Sequence, residues 1–198
     1  MPPKQRKIAI MGFRSVGCLM VAFTVKYAGK SSLAIQFVNG EFVDYYDPTI
    51  ENTFTKNVKI QGQDYLISIV DTRGQEEHSM FPIAYAMDIH GYCFVYSIDN
   101  KKSFEVVKVI YEKLIDTTGP VTIPIILVGN KLDLQQERLI TYEQGKELAQ
   151  QMKAQFVEVS AKKNSSVTDL FHTLILCIEN ADKRNDKPHK NNSTCTVS

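Results

Sequence analysis

Cysteine is scarce and unpaired in this sequence of 198 residues. Its four are Cys18, Cys93, Cys177 and Cys195, and no two share the short spacing of a zinc site or of a disulfide framework. Net charge is almost absent too. Twenty-three Lys and Arg stand against 22 Asp and Glu, so the formal +1 gives no field that points to nucleic acid or an acidic partner. No apolar run approaches the roughly 20 residues that span a bilayer. The opening "MPPKQRKIAIMG" reaches glycine and polar residues too early for a secretory leader. There is no internal repeat. We therefore expect a reduced, cytosolic protein of one domain with a tail. The 43% hydrophobic content is enough for a real core, and a domain of this size buries roughly 70% of its unfolded surface.

Apolar runs alternate with helical patterns. "KIAIM" reads as a first buried strand and Ser31–Gly40 as a helix ending at glycine. "TFTKNVKI" and "DYLISIVD", joined by "QGQ", read as an antiparallel hairpin. "GYCFVYSI" and "IPIILVGN" are continuous apolar runs, as in strands buried on both faces, and "AQFVEVSA" is a shorter one. Helical spacing covers 101–117, 141–152 and 167–181. This order predicts an α/β fold, a mostly parallel sheet with helices on both faces and one antiparallel hairpin. Ligands of such sheets bind at the carboxyl ends of the strands. From Asp182 on, the chain is polar and stripe-free, and we expect it to be disordered.

Met11–Leu33, "MGFRSVGCLMVAFTVKYAGKSSL", carries both halves of a phosphate-binding loop. Gly12 to Gly17 gives a Gly, four residues and a Gly, and Gly29-Lys30-Ser31 gives what should follow at once. Removing Cys18–Gly29, twelve residues (29 − 18 + 1), restores the uninterrupted loop; removing Gly17–Ala28 does the same. Such a loop must be contiguous in space, because its amides wrap phosphates and the helix start adds its dipole. The segment "CLMVAFTV" is apolar and rich in strand formers, a poor composition for an exposed loop.

Three further motifs follow their own strands. In "GNKLD", Asp133 suits the Watson–Crick edge of guanine, Asn130 its Hoogsteen side, and the Lys131 stem its face. In "SAK", Ser160 to Lys162, the Ala161 N–H suits the guanine oxygen. In "DTRGQE", Asp71 suits magnesium, the Gly74 N–H a terminal phosphate, and Gln75 an attacking water. Taken singly, each could be an ordinary turn. "YYDPTIENTF" adds Thr49, whose hydroxyl suits magnesium. The final "CTVS" reads as a farnesylation signal at Cys195. Lys183, Arg184, Lys187 and Lys190 are too few and too spread to add firm anchoring.

In this order the motifs resemble those of the Ras superfamily of small GTPases. "RKIAIMGFRSVG", "SSLAIQFVNGEFVD", "YDPTIENTFTK", "FPIAYAMDIHGY" and "KSFEVVKVIYEKL" resemble its Rheb branch, over nearly the whole chain outside Cys18–Gly29. The resemblance implies a three-layer P-loop small-GTPase fold with a six-stranded sheet over residues 1–182 and a tail over 183–198. It implies a GTP/GDP switch with Mg²⁺. Gly12, Ser15, Val16, Gly17, Gly29, Lys30, Ser31 and Ser32 would cradle phosphates. Phe42, Val43, Tyr46 and Asp47 would line the nucleotide, and Asn130, Lys131, Asp133, Ser160, Ala161 and Lys162 would read the base. Ser31 and Thr49 would ligate the metal, with Asp71 behind them. Gln75, Arg14 and Tyr46 would govern hydrolysis. The partners implied are the TOR kinase complex, the GTPase activator of the tuberous sclerosis complex, and a prenyltransferase. Lipid would bring the chain, prenylated and methylated at Cys195, to the cytosolic face of endomembranes (lysosome, Golgi, endoplasmic reticulum).

The sequence departs from that pattern twice. Arg73 stands where the family has Ala, beside the terminal phosphate, and bears on the second switch and on hydrolysis. The split loop leaves two further readings open: a pseudo-GTPase that no longer holds nucleotide, or an aberrant isoform carrying a segment whose excision keeps frame and motif.

Overall fold

Strand β1 spans Lys4–Gly12 and forms the middle of the molecule. In this computed structural model, residues 2–13, 29–42, 51–72, 88–119 and 123–185 are described. After β1 come helix α1 (Lys30–Asn39), the hairpin β2 (Glu51–Ile60) and β3 (Gln63–Thr72), and β4 (Gly91–Ser97). Then follow α2 (Lys101–Thr118), β5 (Ile125–Asn130), α3 (Tyr142–Gln151), β6 (Gln155–Glu158) and α4 (Val167–Asn185). The six strands line up as β2-β3-β1-β4-β5-β6. Among the described strands only the β2–β3 pair is antiparallel.

Alternation along the central strands makes two cores. Ile8 and Ile10, Cys93 and Val95, and Ile126 and Val128 face α1 and α4. Ala9 and Met11, Tyr92, Phe94 and Tyr96, and Ile125 and Leu127 face α2 and α3. A strand apolar on both sides cannot show the period of two, which is why these segments read as continuous runs. On the first face Phe37 of α1 stacks on Phe171 of α4 at 4.2 Å between centroids. Fully burying such a ring contributes roughly 2–3 kcal/mol.

The hairpin turns at Gln61 and Gly62, both with positive φ (49° and 83°). That is the two-residue turn whose twist matches the strands, and it sets Ile60 opposite Gln63.

The second core has a close fit around Tyr96. Its ring meets Phe104 edge-on at 5.0 Å, and its hydroxyl lies under two glycines, Gly129 of β5 and Gly145 of α3. A Cβ on Gly145 would collide with that hydroxyl and with the Phe156 ring. Gly145→Ala should therefore lower thermal stability by about 1–3 kcal/mol. This would hold although alanine is the better helix former by about 1 kcal/mol. A melting temperature equal to or above that of the parent would contradict it.

Besides end shifts of one or two residues, the fold differs from the sequence reading in three ways. Strand β1 starts at Lys4 rather than Lys7, because Lys4, Gln5 and Arg6 pair with Tyr65, Leu66 and Ile67 of β3. Helix α4 runs to Asn185, past the point where its apolar stripe stops and a tail was expected from Asp182. The cause is ionic. Glu179 accepts Lys4 Nζ at 2.6 Å and Arg6 Nε at 2.8 Å, and Arg6 also reaches Asp182 at 2.7 Å. Burial pushes the Glu179 carboxyl up, but hydrogen bonds from Lys4 and Arg6 outweigh it and hold it below the usual range. Third, Leu132–Glu137 form a short 3-10 helix where only a loop was read. The rest of the expected tail, with Lys187, Lys190 and Cys195, lies outside the described residues.

Candidate functional site

The parallel strands all end on one edge of the sheet. Register places Ile10 of β1 beside Asp71 of β3, Gly12 beside Val95 of β4, and Ser97 of β4 beside Asn130 of β5. The chemistry-bearing residues collect along this edge.

The first half of the site is built on β1 and α1. Gly12 lies against the Val95 carbonyl oxygen with φ 155°, and no side chain would fit there. Gly29, left-handed at φ 77°, caps α1, and Leu33 N–H donates to its carbonyl at 3.0 Å. No side chain caps this helix and no acidic residue sits in its first turn, so its positive dipole end suits an anion. Lys30 follows as the first helical residue. Its ammonium donates to the Phe13 carbonyl at 3.1 Å. This bond ties the start of α1 to the end of β1. Ser31 and Ser32 occupy the same first turn, half-buried.

Lys30 is buried, and a cation there opposes the helix dipole. Burial lowers its ammonium to about 8, against the raising influence of Asp71. Asp71 is itself wholly buried at the end of β3. Next to it Thr72 Oγ1 donates to the Ile10 carbonyl at 2.7 Å and binds the ends of β3 and β1 together. A desolvated ammonium at a helix start is stabilised by a polyanion.

The second half lies on the loops after β5 and β6. Asn130 is buried, and its Oδ1 accepts the Ala161 N–H at 3.2 Å. The Ala161 amide, expected to face a guanine oxygen, is thus shared with Asn130 here. Ser160 Oγ donates to Asp133 Oδ1 and accepts the Lys163 N–H at 3.1 Å. This aims the half-buried Asp133 carboxylate. Backbone bonds from Val159 to Gly129 and from Leu132 to Val159, both 2.9 Å, hold the two loops in step. Lys131 is left-handed at φ 67° and starts the 3-10 helix. Lys162 is exposed, as is Phe42 beyond the end of α1.

The halves meet at Asn130. A Cβ on Gly29 would collide with the Asn130 amide nitrogen, so the first residue of the helix cap touches the first residue of the base-reading motif. Gly12, Gly29, Lys30 and Asp71 thus share one edge with Asn130, Lys131, Asp133, Ser160 and Ala161. Arg14, Ser15, Val16, Gly17, Val43, Tyr46, Asp47, Thr49, Arg73, Gly74 and Gln75 lie outside the described residues. Among the described residues no three His, Cys, Asp or Glu side chains gather as a metal cluster. Asp99 was not singled out from sequence. It lies just past β4, and Lys131 Nζ stands 3.7 Å from its carboxylate. The available signal was its place, one more polar residue after a strand of this same edge.

A family model described as the Ras family matches residues 20–180, beginning inside the inserted stretch. The chain is 54% identical over 198 residues to the GTP-binding protein Rheb homolog of Drosophila melanogaster, with all of both chains covered. It is 53% identical over 194 residues to the GTP-binding protein Rheb of Homo sapiens, covering 98% of this chain and 97% of the relative. Against the GTP-binding protein rhb1 of Schizosaccharomyces pombe it is 42% identical over 196 residues, covering 99% of this chain and 98% of that one.

Proposed function

Because the chain belongs to the Ras family of small GTPases and to the Rheb type within it, we propose that it is a magnesium-dependent guanine-nucleotide switch with slow intrinsic hydrolysis. The observation that carries this reading is the meeting of Gly29, at the start of α1, with Asn130. This supports a phosphate-binding role for the start of α1 beside a base-reading role for the loop after β5, although the insert Cys18–Gly29 interrupts the motif in sequence.

Lys30 and the α1 amides bind and orient the β- and γ-phosphates. Asp133 accepts the two N–H groups of the guanine edge, and Ser160 steadies its carboxylate. The donor set for the metal, hydroxyls of Ser31 and Thr49 with the Asp71 carboxylate behind, consists of hard oxygens and fits Mg²⁺. When bound, that ion neutralises charge on the terminal phosphates. By the family pattern, Gly74 would donate to the γ-phosphate, Gln75 would orient the attacking water, and Tyr46 would serve hydrolysis beside them. By the same pattern, Arg14 would crowd Gln75 and slow the conversion of GTP to GDP and phosphate.

By its relatives' type, the GTP form would engage the TOR kinase complex, and the tuberous sclerosis complex activator would return it to GDP. A prenyltransferase would farnesylate Cys195 and so hold the chain on the cytosolic face of endomembranes. No described helix is long and apolar enough to cross a membrane. Nucleic acid is not a proposed partner.

Titration of the full chain with a fluorescent GDP analogue, with Mg²⁺ and with chelator, tests the reading. We expect magnesium-dependent binding that GTP and GDP displace and ATP does not. Absence of binding would favour the second reading, a pseudo-GTPase or aberrant isoform, for which the split loop and Arg73 speak.

A further inference from the structure

We infer that Asp99 is a positioning residue of the base site, tethering the Lys131 ammonium so that the lysine stem stays where a guanine ring would lie. This rests on the guanine-nucleotide reading above. Asp99 stands in the link between β4 and α2, with its side chain wholly excluded from solvent. Its Oδ1 accepts the Ser97 hydroxyl and lies 3.7 Å from Lys131 Nζ. A carboxylate taken out of water needs both a cation and hydrogen bonds; Ser97 supplies the hydrogen bond and Lys131, after β5, the cation.

The link is braced against the base-reading loop. Ile98 N–H donates to the Asn130 carbonyl at 3.1 Å, and Leu139 and Ile140 both donate to the Ile98 carbonyl, at 2.8 and 3.0 Å. Behind it, Asn100 caps α2 through Ser103 N–H at 3.0 Å, and Ser97 N–H donates to Ser103 Oγ at 2.9 Å. The Asp99 carboxylate is therefore fixed relative to the Asn130–Lys131 peptide. Lys131 is held at one end by its left-handed backbone and at the other by this charge, while 23% of its side chain stays open. A free lysine stem ranges over many rotamers, and ordering it costs affinity when a ring stacks on it. Tethering removes that cost before the nucleotide arrives.

Asp99→Asn tests this, because it keeps the shape and an acceptor for Ser97 but removes the charge. From the full chain, dissociation of the fluorescent GDP analogue should speed up roughly tenfold, the size typical of coupled neighbours. In a Lys131→Met background, Asp99→Asn should add nothing further. A purely structural Asp99 would instead give effects that multiply, and that result, or an unchanged rate, overturns the inference. A second readout needs no nucleotide: acylation of Lys131, followed by mass spectrometry and referred to exposed Lys146. Losing the tether should raise Lys131 reactivity severalfold, and no change overturns the inference. If the parent chain binds no GDP, the functional reading fails, while the acylation result still decides the tether. Should Asp99→Asn fail to fold, Ser97→Ala carries both readouts, with the same sign and smaller size.

Discussion

Asp133→Asn should weaken GDP binding by roughly 10²- to 10⁴-fold, the loss of two hydrogen bonds to a charged acceptor. The guanine edge presents two N–H donors side by side, and a carboxylate accepts both. Asparagine replaces one acceptor with an NH₂ donor, which faces the base N–H and leaves it unpaired. The same NH₂ group suits a base with a carbonyl at that place, so affinity for xanthosine diphosphate should rise as GDP affinity falls. Because Ser160 donates to Asp133 Oδ1, the substituted amide still has a neighbour to orient it, and the fold should be kept. Competition of GDP and xanthosine diphosphate against the fluorescent analogue reads both numbers. Equal GDP affinity in parent and variant would place the base elsewhere.

Raising the pH from about 7.5 to 9.5 should move stability and nucleotide affinity in opposite directions. Lys30 carries its proton in the unfolded chain up to the ordinary 10.5, whereas burial lowers it in the folded chain to about 8. Between those values the unfolded state binds more protons, so the ligand-free chain gains stability as pH rises. Over this window the gain is about 2 kcal/mol, since each pH unit well above the folded value is worth about 1.4 kcal/mol. Phosphates need the ammonium and restore its proton on binding. Affinity for GDP should therefore fall by up to about tenfold per pH unit above 8. Lys30→Met should abolish both pH dependences in this window and bind GDP at least about 10²-fold more weakly. Thermal melts without ligand and GDP titrations across the pH series give the two slopes. Slopes of the same sign would contradict the burial of this ammonium in a phosphate site.

The strands and their order of chemistry were legible because each motif is short, local and placed directly after an apolar run. Asn130, Asp133, Ser160 and Asp71 could be named that way, and the sheet edge collects them. What stayed hidden depends on partners far along the chain. The last turn of α4 looked like a solvated tail because its anchors, Lys4 and Arg6, lie at the other terminus. Asp99 looked like a turn residue because its cation comes from the loop after β5. The 3-10 helix is too short for a helical period, and it starts from a left-handed lysine that no propensity favours. The insert misleads in another way: it parts in sequence what Lys30 and Phe13 bring within 3.1 Å.

The most direct measurement compares magnesium-dependent GDP affinity of the full chain with that of a chain lacking Cys18–Gly29. Since Lys30 Nζ already reaches the Phe13 carbonyl at the end of β1, and Gly29 of the helix cap already meets Asn130, we expect the two affinities to agree within about tenfold, or about 1.4 kcal/mol. Binding by the shortened chain alone would contradict a site that assembles around the insert.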